Sequence, residues 1–196
     1  MQSSKKLSHK MCYHSKQTKD AQTIQRRFKK KILNLDLFEV SNHFNGFAKP
    51  ITPVILNNDM DHINMVQWGF PVSWQPAPLL NAKIETLDVL RTFKEYTTNR
   101  CLVIVDGFYD WRHEGKNKIK YEVGFGGALF CLAGIFKIEN NTTYYTIVTT
   151  EAQGIMREIH NSKCRMPIAF NSDEKMNDWL RNVPVEPDWD FVAEII

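Results

Sequence analysis

The chain has 196 residues, 43% of them hydrophobic and 24% charged, a makeup that matches ordinary globular domains and excludes disordered and fibrous classes. No apolar run approaches the roughly 18 residues that cross a bilayer, and the polar, lysine-bearing residues 1–10 lack the apolar core of a secretory signal, so a cytoplasmic protein is expected. The net charge of +3 hides an asymmetry: residues 1–31 hold ten Lys/Arg and one acid, leaving fifteen basic and twenty-one acidic residues in the remainder, so an anionic partner such as a phosphate backbone would be drawn to the front of the chain unless the cluster is simply a solvated helix face.

Ala21, Ile24, Phe28, Ile32 and Leu35 recur at helical spacing among basic residues and predict an amphipathic helix over 20–33. Asn45-Gly46, Pro50 and Pro53 mark irregular chain, and the apolar runs at 54–56 and 63–68 read as short strands. Pro71, Pro76 and Pro78 argue against regular structure up to Asn81. Leu87, Leu90 and Phe93 then predict a second helix over 84–96. From 101 to 150 the chain is strand-like at 101–105, 118–123, 129–136 and 143–150, with turn signals at Glu114-Gly115 and Asn140-Asn141. Connections this short imply antiparallel pairing. A short helix at 152–158, a strand at 166–170 and a helix at 173–180 complete the pattern. The expected fold is α+β: one domain over 11–196 behind a ten-residue extension, with a mixed or antiparallel sheet curled like a barrel and helices outside it.

Cys12, Cys101, Cys131 and Cys164 are widely spaced and form no Cys-x-x-Cys pair, which argues against a disulfide scaffold or a zinc ribbon. Cys101 and Cys131 stand within apolar runs and read as buried thiols. Cys12 has no such shelter, and Met11 before it suggests an alternative start or a precursor junction. An N-terminal cysteine carries an amine with pKa near about 8 beside a thiol near about 8.5. An aldehyde condenses with such an amine to an imine, and the thiol closes a thiazolidine ring.

Four blocks carry the remaining chemistry: Met11-Cys12, Asn81-Ala82-Lys83-Ile84-Glu85-Thr86, Gly107-Phe108-Tyr109-Asp110-Trp111 after Arg100-Cys101-Leu102, and Ile159-His160 leading to Arg165-Met166-Pro167. In that order they resemble the SOS-response-associated peptidase (SRAP) family, whose blocks read Met-Cys, Asn-Ala-Arg-x-Glu-Thr, Gly-Phe-Tyr-Glu-Trp and Ile-His followed by Arg-Met-Pro. Similarity extends to Asn45-Gly46-Phe47-Ala48, Trp68-Gly69-Phe70-Pro71 and Thr149-Thr150-Glu151-Ala152, covering roughly residues 11–170. Two positions depart from the pattern: Asp110 stands where glutamate is typical, and Lys83 where arginine is.

The resemblance implies a protein that recognises abasic sites in single-stranded DNA and joins its N-terminal cysteine to the sugar aldehyde, with self-processing peptidase activity and AP-lyase activity as a by-product. Cys12 would be the nucleophile. Asn81 would hold the Cys12 region or the opened sugar, Asp110 would steer protons at the amine, and His160 would move the proton at the sugar oxygen. Chemically, an amide fixes geometry without titrating, while imidazole titrates near neutral pH. Lys83, Arg165, the basic N-terminal residues, Trp68 and Trp74 are the expected DNA contacts, the indoles by stacking on bases. No cofactor or metal is implied, and a monomer acting near the nucleoid when DNA is damaged is expected. A cysteine peptidase built on Cys12 and His160 predicts peptide turnover without DNA, and a noncatalytic single-strand-binding module predicts that Cys12 is incidental.

Overall fold

Every residue of Cys101–Val105 is buried, so that strand has neighbours on both faces, and the rest of the architecture follows from what covers each. The computed structural model describes residues 13–196; the predicted extension and Cys12 lie outside the described residues. In chain order the elements are β1 (His14–Gln17), α1 (Ala21–Phe28), β2 (Lys31–Ile32), β3 (Ser41–Asn45), β4 (Ile51–Leu56), β5 (Asp59–Trp68), β6 (Phe70–Val72), β7 (Gln75–Leu79) and β8 (Asn81–Lys83). They continue with β9 (Arg100–Val105), β10 (Gly107–Glu114), β11 (Asn117–Gly124), β12 (Phe130–Glu139), β13 (Thr142–Glu151), α2 (Met156–Ile159), β14 (Arg165–Pro167), β15 (Ala169–Phe170), α3 (Asp173–Leu180) and β16 (Val192–Ile195).

One sheet has five strands in the order β16-β11-β10-β1-β3, and a second has nine, with β14-β13-β12-β9-β4-β5-β2 as its main path. Pairing is mostly antiparallel, and β5 and β8 each add a parallel pairing to β13. The architecture is therefore α+β with mixed, curled sheets. Along β9 and β12, Cys101, Val103, Val105, Phe130 and Leu132 point into a core shared with Phe108 and Val123 of the five-stranded sheet. Leu102, Ile104, Cys131, Ala133 and Ile135 point the other way, against Ile24 and Phe28 of α1 and Met176, Trp179 and Leu180 of α3. Strands covered on both faces lose the polar alternation and read as continuous apolar runs. Burial pushes the thiols of Cys101 and Cys131 up from their ordinary pKa, as expected for structural cysteines. Gly134 is needed where β12 passes β9, since a Cβ there would stand 2.7 Å from Cys101 Sγ. Among the described residues no helix is long and apolar enough to cross a membrane.

Three expected elements differ. Helix α1 ends at Phe28 because Lys29 turns left-handed (φ 55°), which lets Ile32 pair in parallel with Ile63; Leu35 is 53% exposed and contributes nothing to the stripe. The 84–96 helix is replaced by 3-10 turns at Ile84–Thr86 and Lys94–Tyr96. Leu87 and Phe93 are buried but Leu90 faces solvent, so no continuous apolar face remains to stabilise a helix. The proline-rich stretch forms the β6–β7 hairpin, paired at Phe70↔Leu79 and Val72↔Gln75. It is a two-stranded ribbon, and a ribbon edge tolerates prolines that a central strand would not. The Asn140-Asn141 turn and α3 stand where expected, the former with both residues at positive φ as a tight hairpin requires, the latter capped by Ser172.

Strand β1, which carries the chain from residue 12 into the fold, is anchored at its far end by a buried carboxylate. Asp106 is 2% exposed, accepts from the Thr18 amide at 3.2 Å and from the Thr18 hydroxyl, and lies 3.7 Å from Lys19 Nζ. Replacing Asp106 with alanine leaves the half-buried Thr18 donors without their acceptor, a penalty of about 1–3 kcal/mol. Urea denaturation of Asp106→Ala is expected to show that loss; an unchanged midpoint would mean the anchor is dispensable.

Candidate active site

On β10 the side chains at 108 and 110 share the inward face. Phe108 fills the inter-sheet core, and Asp110, two residues on, meets the end of α2. That helix buries Met156 and Ile159 in the same core, and its last turn closes with His160 N–H donating to Met156 O at 2.9 Å. His160 thereby arrives opposite Asp110, with Nδ1 2.9 Å from Asp110 Oδ2 and both residues 5% exposed or less. The approach has ion-pair distance without the alignment of a hydrogen bond. The other carboxylate oxygen accepts from the Trp111 amide at 2.8 Å. The shorter side chain of aspartate thus still reaches the imidazole.

A cavity of about 430 Å³ opens on this pair, walled by Tyr13, Asn45, Phe47 and Trp111 and rimmed by His113 and Lys118. Tyr13 is placed by its own backbone, whose carbonyl accepts from Gly46 N–H at 2.8 Å, and by its ring, 4.9 Å from that of Phe47. Glycine at 46 is a packing requirement, because a Cβ would come 2.9 Å from Leu80 Cδ1. The block Asn45-Gly46-Phe47-Ala48 is therefore part of the site wall.

A second polar pair joins two of the sequence blocks. The Arg165 guanidinium forks onto Glu85 with bonds of 2.8 and 2.9 Å and also donates to Thr149 O at 2.7 Å. Burial raises the Glu85 carboxyl, but the bonds from Arg165 and its charge outweigh it and leave the pKa below the usual carboxylate value. Glu85 is accordingly held as an ionised partner of Arg165.

The model of the SOS response associated peptidase (SRAP) family matches residues 11–192. The chain belongs to this family. It is 27% identical over 155 residues to abasic site processing protein YoaM of Bacillus subtilis, which covers 72% of this chain and 66% of that protein. To abasic site processing protein YedK of Escherichia coli it is 31% identical over 143 residues, 67% of this chain and 62% of that one. The matched part thus spans a little under two thirds of these relatives. Among solved structures, a Bacteroides thetaiotaomicron protein superposes with TM-score 0.81 at 24% identity, over 94% of this chain and 92% of the other. A Bordetella bronchiseptica protein does so with TM-score 0.75 at 20% identity, over 94% and 99%. These two likenesses concern the fold.

Of the SRAP residues expected from sequence, the structure joins Asp110 and His160 directly. Asn81 stands on β8 beside Ile147 of β13, outside the set of described residues that line the cavity. Cys12 lies outside the described residues; Tyr13, to which it is bonded, lines the cavity. Lys83 is exposed, and Trp74, at the tip of the β6–β7 hairpin, is 63% exposed. Trp68 requires correction as a stacking residue. It is fully buried, its indole N–H donates to Leu80 O at 3.1 Å and its ring stacks on Tyr145, so no base can reach it. Arg165 is engaged by Glu85 rather than presented to solvent. The basic helix is also displaced from its expected role: α1 packs on the face of the nine-stranded sheet opposite the inter-sheet core, while Lys16 and Lys19 pair with Glu122 and Asp106. Sequence reasoning missed Tyr13, Trp111 and His113 as site walls; only the adjacency of the first two to assigned residues could have signalled them.

Proposed function

We propose that this protein captures abasic sites in single-stranded DNA as a covalent adduct. Once Cys12 is N-terminal, its amine attacks the aldehyde carbon of the ring-opened sugar, water leaves to give the imine, and the thiol adds to the same carbon to close a thiazolidine. The net change is one condensation that releases one water, with no oxidant or reductant. Asp110 accepts the proton that the terminal ammonium must lose before the amine can attack, and His160 delivers and removes the proton at the sugar oxygen during ring opening and reversal. By likeness to the family, Asn81 holds the Cys12 region or the opened sugar, while Trp74 and Lys83 contribute base stacking and phosphate contact.

One observation carries the reading: Tyr13, bonded directly to Cys12, lines the same cavity as the buried Asp110–His160 pair. Relatives named abasic site processing proteins support the substrate. Exposure of the amine requires breaking the Met11–Cys12 bond, and self-processing at that bond is part of the proposal. The imine stage also accounts for a weak lyase by-product, since it acidifies the adjacent carbon for β-elimination.

Protein beginning at Cys12 is expected to give a denaturation-resistant adduct with an abasic single-stranded oligonucleotide, and Cys12→Ala to give none. An equally stable adduct from Cys12→Ala without added reductant would show that the linkage is not a thiazolidine. Intact mass of the native gene product should show a chain that starts at residue 12.

A further inference from the structure

Asp110 and His160 reach the cavity from elements fifty residues apart, and their 2.9 Å contact depends on how the turn after α2 is held against β10. Asn161, the residue after His160, makes that attachment. Its Oδ1 accepts from the His113 N–H at 3.1 Å and its Nδ2 donates to the His113 carbonyl at 2.9 Å. The carboxamide therefore satisfies both backbone groups of a residue three positions beyond Asp110 on the same strand. The reason a side chain serves there lies in the sheet: among the described residues, β1 covers that edge of β10 from Gly107 to Tyr109, and His113 lies past the end of that coverage. On its other side His113 is opposite Lys118 of β11, so its outward N–H and C=O need another partner.

We infer that Asn161 is a positioning residue for the acid–base pair, acting as a one-residue strand that fixes the His160 turn to the strand bearing Asp110. This rests on the capture reaction proposed above. A misplacement of about 1 Å at a reacting group can cost as much as 10²-fold in rate, and loss of both bonds removes the side-chain tie between the turn and β10. Asn161 is exposed and is not among the cavity walls, so its effect falls on the rate of capture and leaves DNA affinity alone.

The test uses protein starting at Cys12 and an abasic single-stranded oligonucleotide in excess, so that maximal rate and half-saturation are read separately. Asn161→Ala should lower the maximal rate by on the order of tenfold with half-saturation unchanged, and should speed hydrogen exchange at the His113 amide. Asn161→Asp, which keeps the acceptor for that amide, should recover part of the rate. In a His160→Ala background the same alanine change should cost nothing further, because residues acting as one unit are not additive. The positioning role is overturned if Asn161→Ala reacts at the unmodified rate while His160→Ala is impaired, or if the two losses multiply. If His160→Ala itself reacts normally, the capture mechanism fails and the positioning role fails with it. Should Asn161→Ala fold poorly, Asn161→Asp and the exchange rate at His113 decide the matter.

Discussion

Asp110→Asn is expected to slow covalent capture by on the order of 10²-fold, the usual consequence of losing a general base, while affinity for abasic single-stranded DNA stays nearly unchanged. The substitution preserves shape and removes charge at an atom 2.9 Å from His160 Nδ1, so proton transfer is lost before packing is. Asp110→Glu is the sharper comparison, since glutamate is the residue typical of the family at this position. The present carboxylate already reaches the imidazole, so the added methylene has to fold back within a pocket where Asp110 is 5% exposed. A retained or raised rate would show that the site has room for the longer side chain. A catalytic role for Asp110 has to be abandoned if folded, DNA-binding Asp110→Asn crosslinks at the unmodified rate between about pH 5 and 8, the range in which an imidazole normally titrates. Glu85 is poorly placed to substitute, because Arg165 holds both its oxygens.

Two tryptophans that look alike in the sequence should respond in opposite ways. Trp68→Ala is expected to lose about 3–5 kcal/mol of stability, as large aromatic truncations in cores do, because it empties a fully buried site and removes one of the two donors to Leu80 O, the other being Ile147 N–H. Trp74→Ala should leave the unfolding midpoint within about 0.5 kcal/mol of the parent, as exposed substitutions usually do. It should instead weaken binding to single strands by about 1–3 kcal/mol, the worth of one base stacked on an aromatic ring. Chemical denaturation and equilibrium titration with an unmodified oligonucleotide separate the two effects. A Trp74→Ala protein that binds as tightly as the parent would remove the hairpin tip from the DNA path, and a Trp68→Ala protein of parental stability would contradict the packing described.

Basic residues that are neighbours in the chain are not neighbours in the fold. Ten basic residues precede position 32, and proximity in sequence to Cys12 suggests that they serve one surface. In the fold, Lys16 and Lys19 are consumed by ion pairs and α1 carries its cations to the far face of the nine-stranded sheet. What places α1 there is the burial of Ile24 and Phe28 against Ile55 and Leu102, residues that no local pattern connects to the helix.

The sequence by itself determined the strands at 101–105, 118–123, 129–136 and 143–150, though not β10 between the first two, the helix at Asp173–Leu180, the burial of Cys101 and Cys131, and the ordered blocks that identify the family. These features are local: apolar runs, turn pairs such as Asn140-Asn141, an acidic helix start at Asp173 and short motifs each carry their own signal within a few residues. Only the tertiary structure decided that Trp68 is core and Trp74 is surface, that the proline-rich stretch pairs as a ribbon, that 84–96 turns rather than forming a helix, and that Asp110 meets His160 while Arg165 meets Glu85. Each of these depends on which distant segment arrives at a given face, and period-two or period-four patterning fixes only that a side chain is covered, not by what.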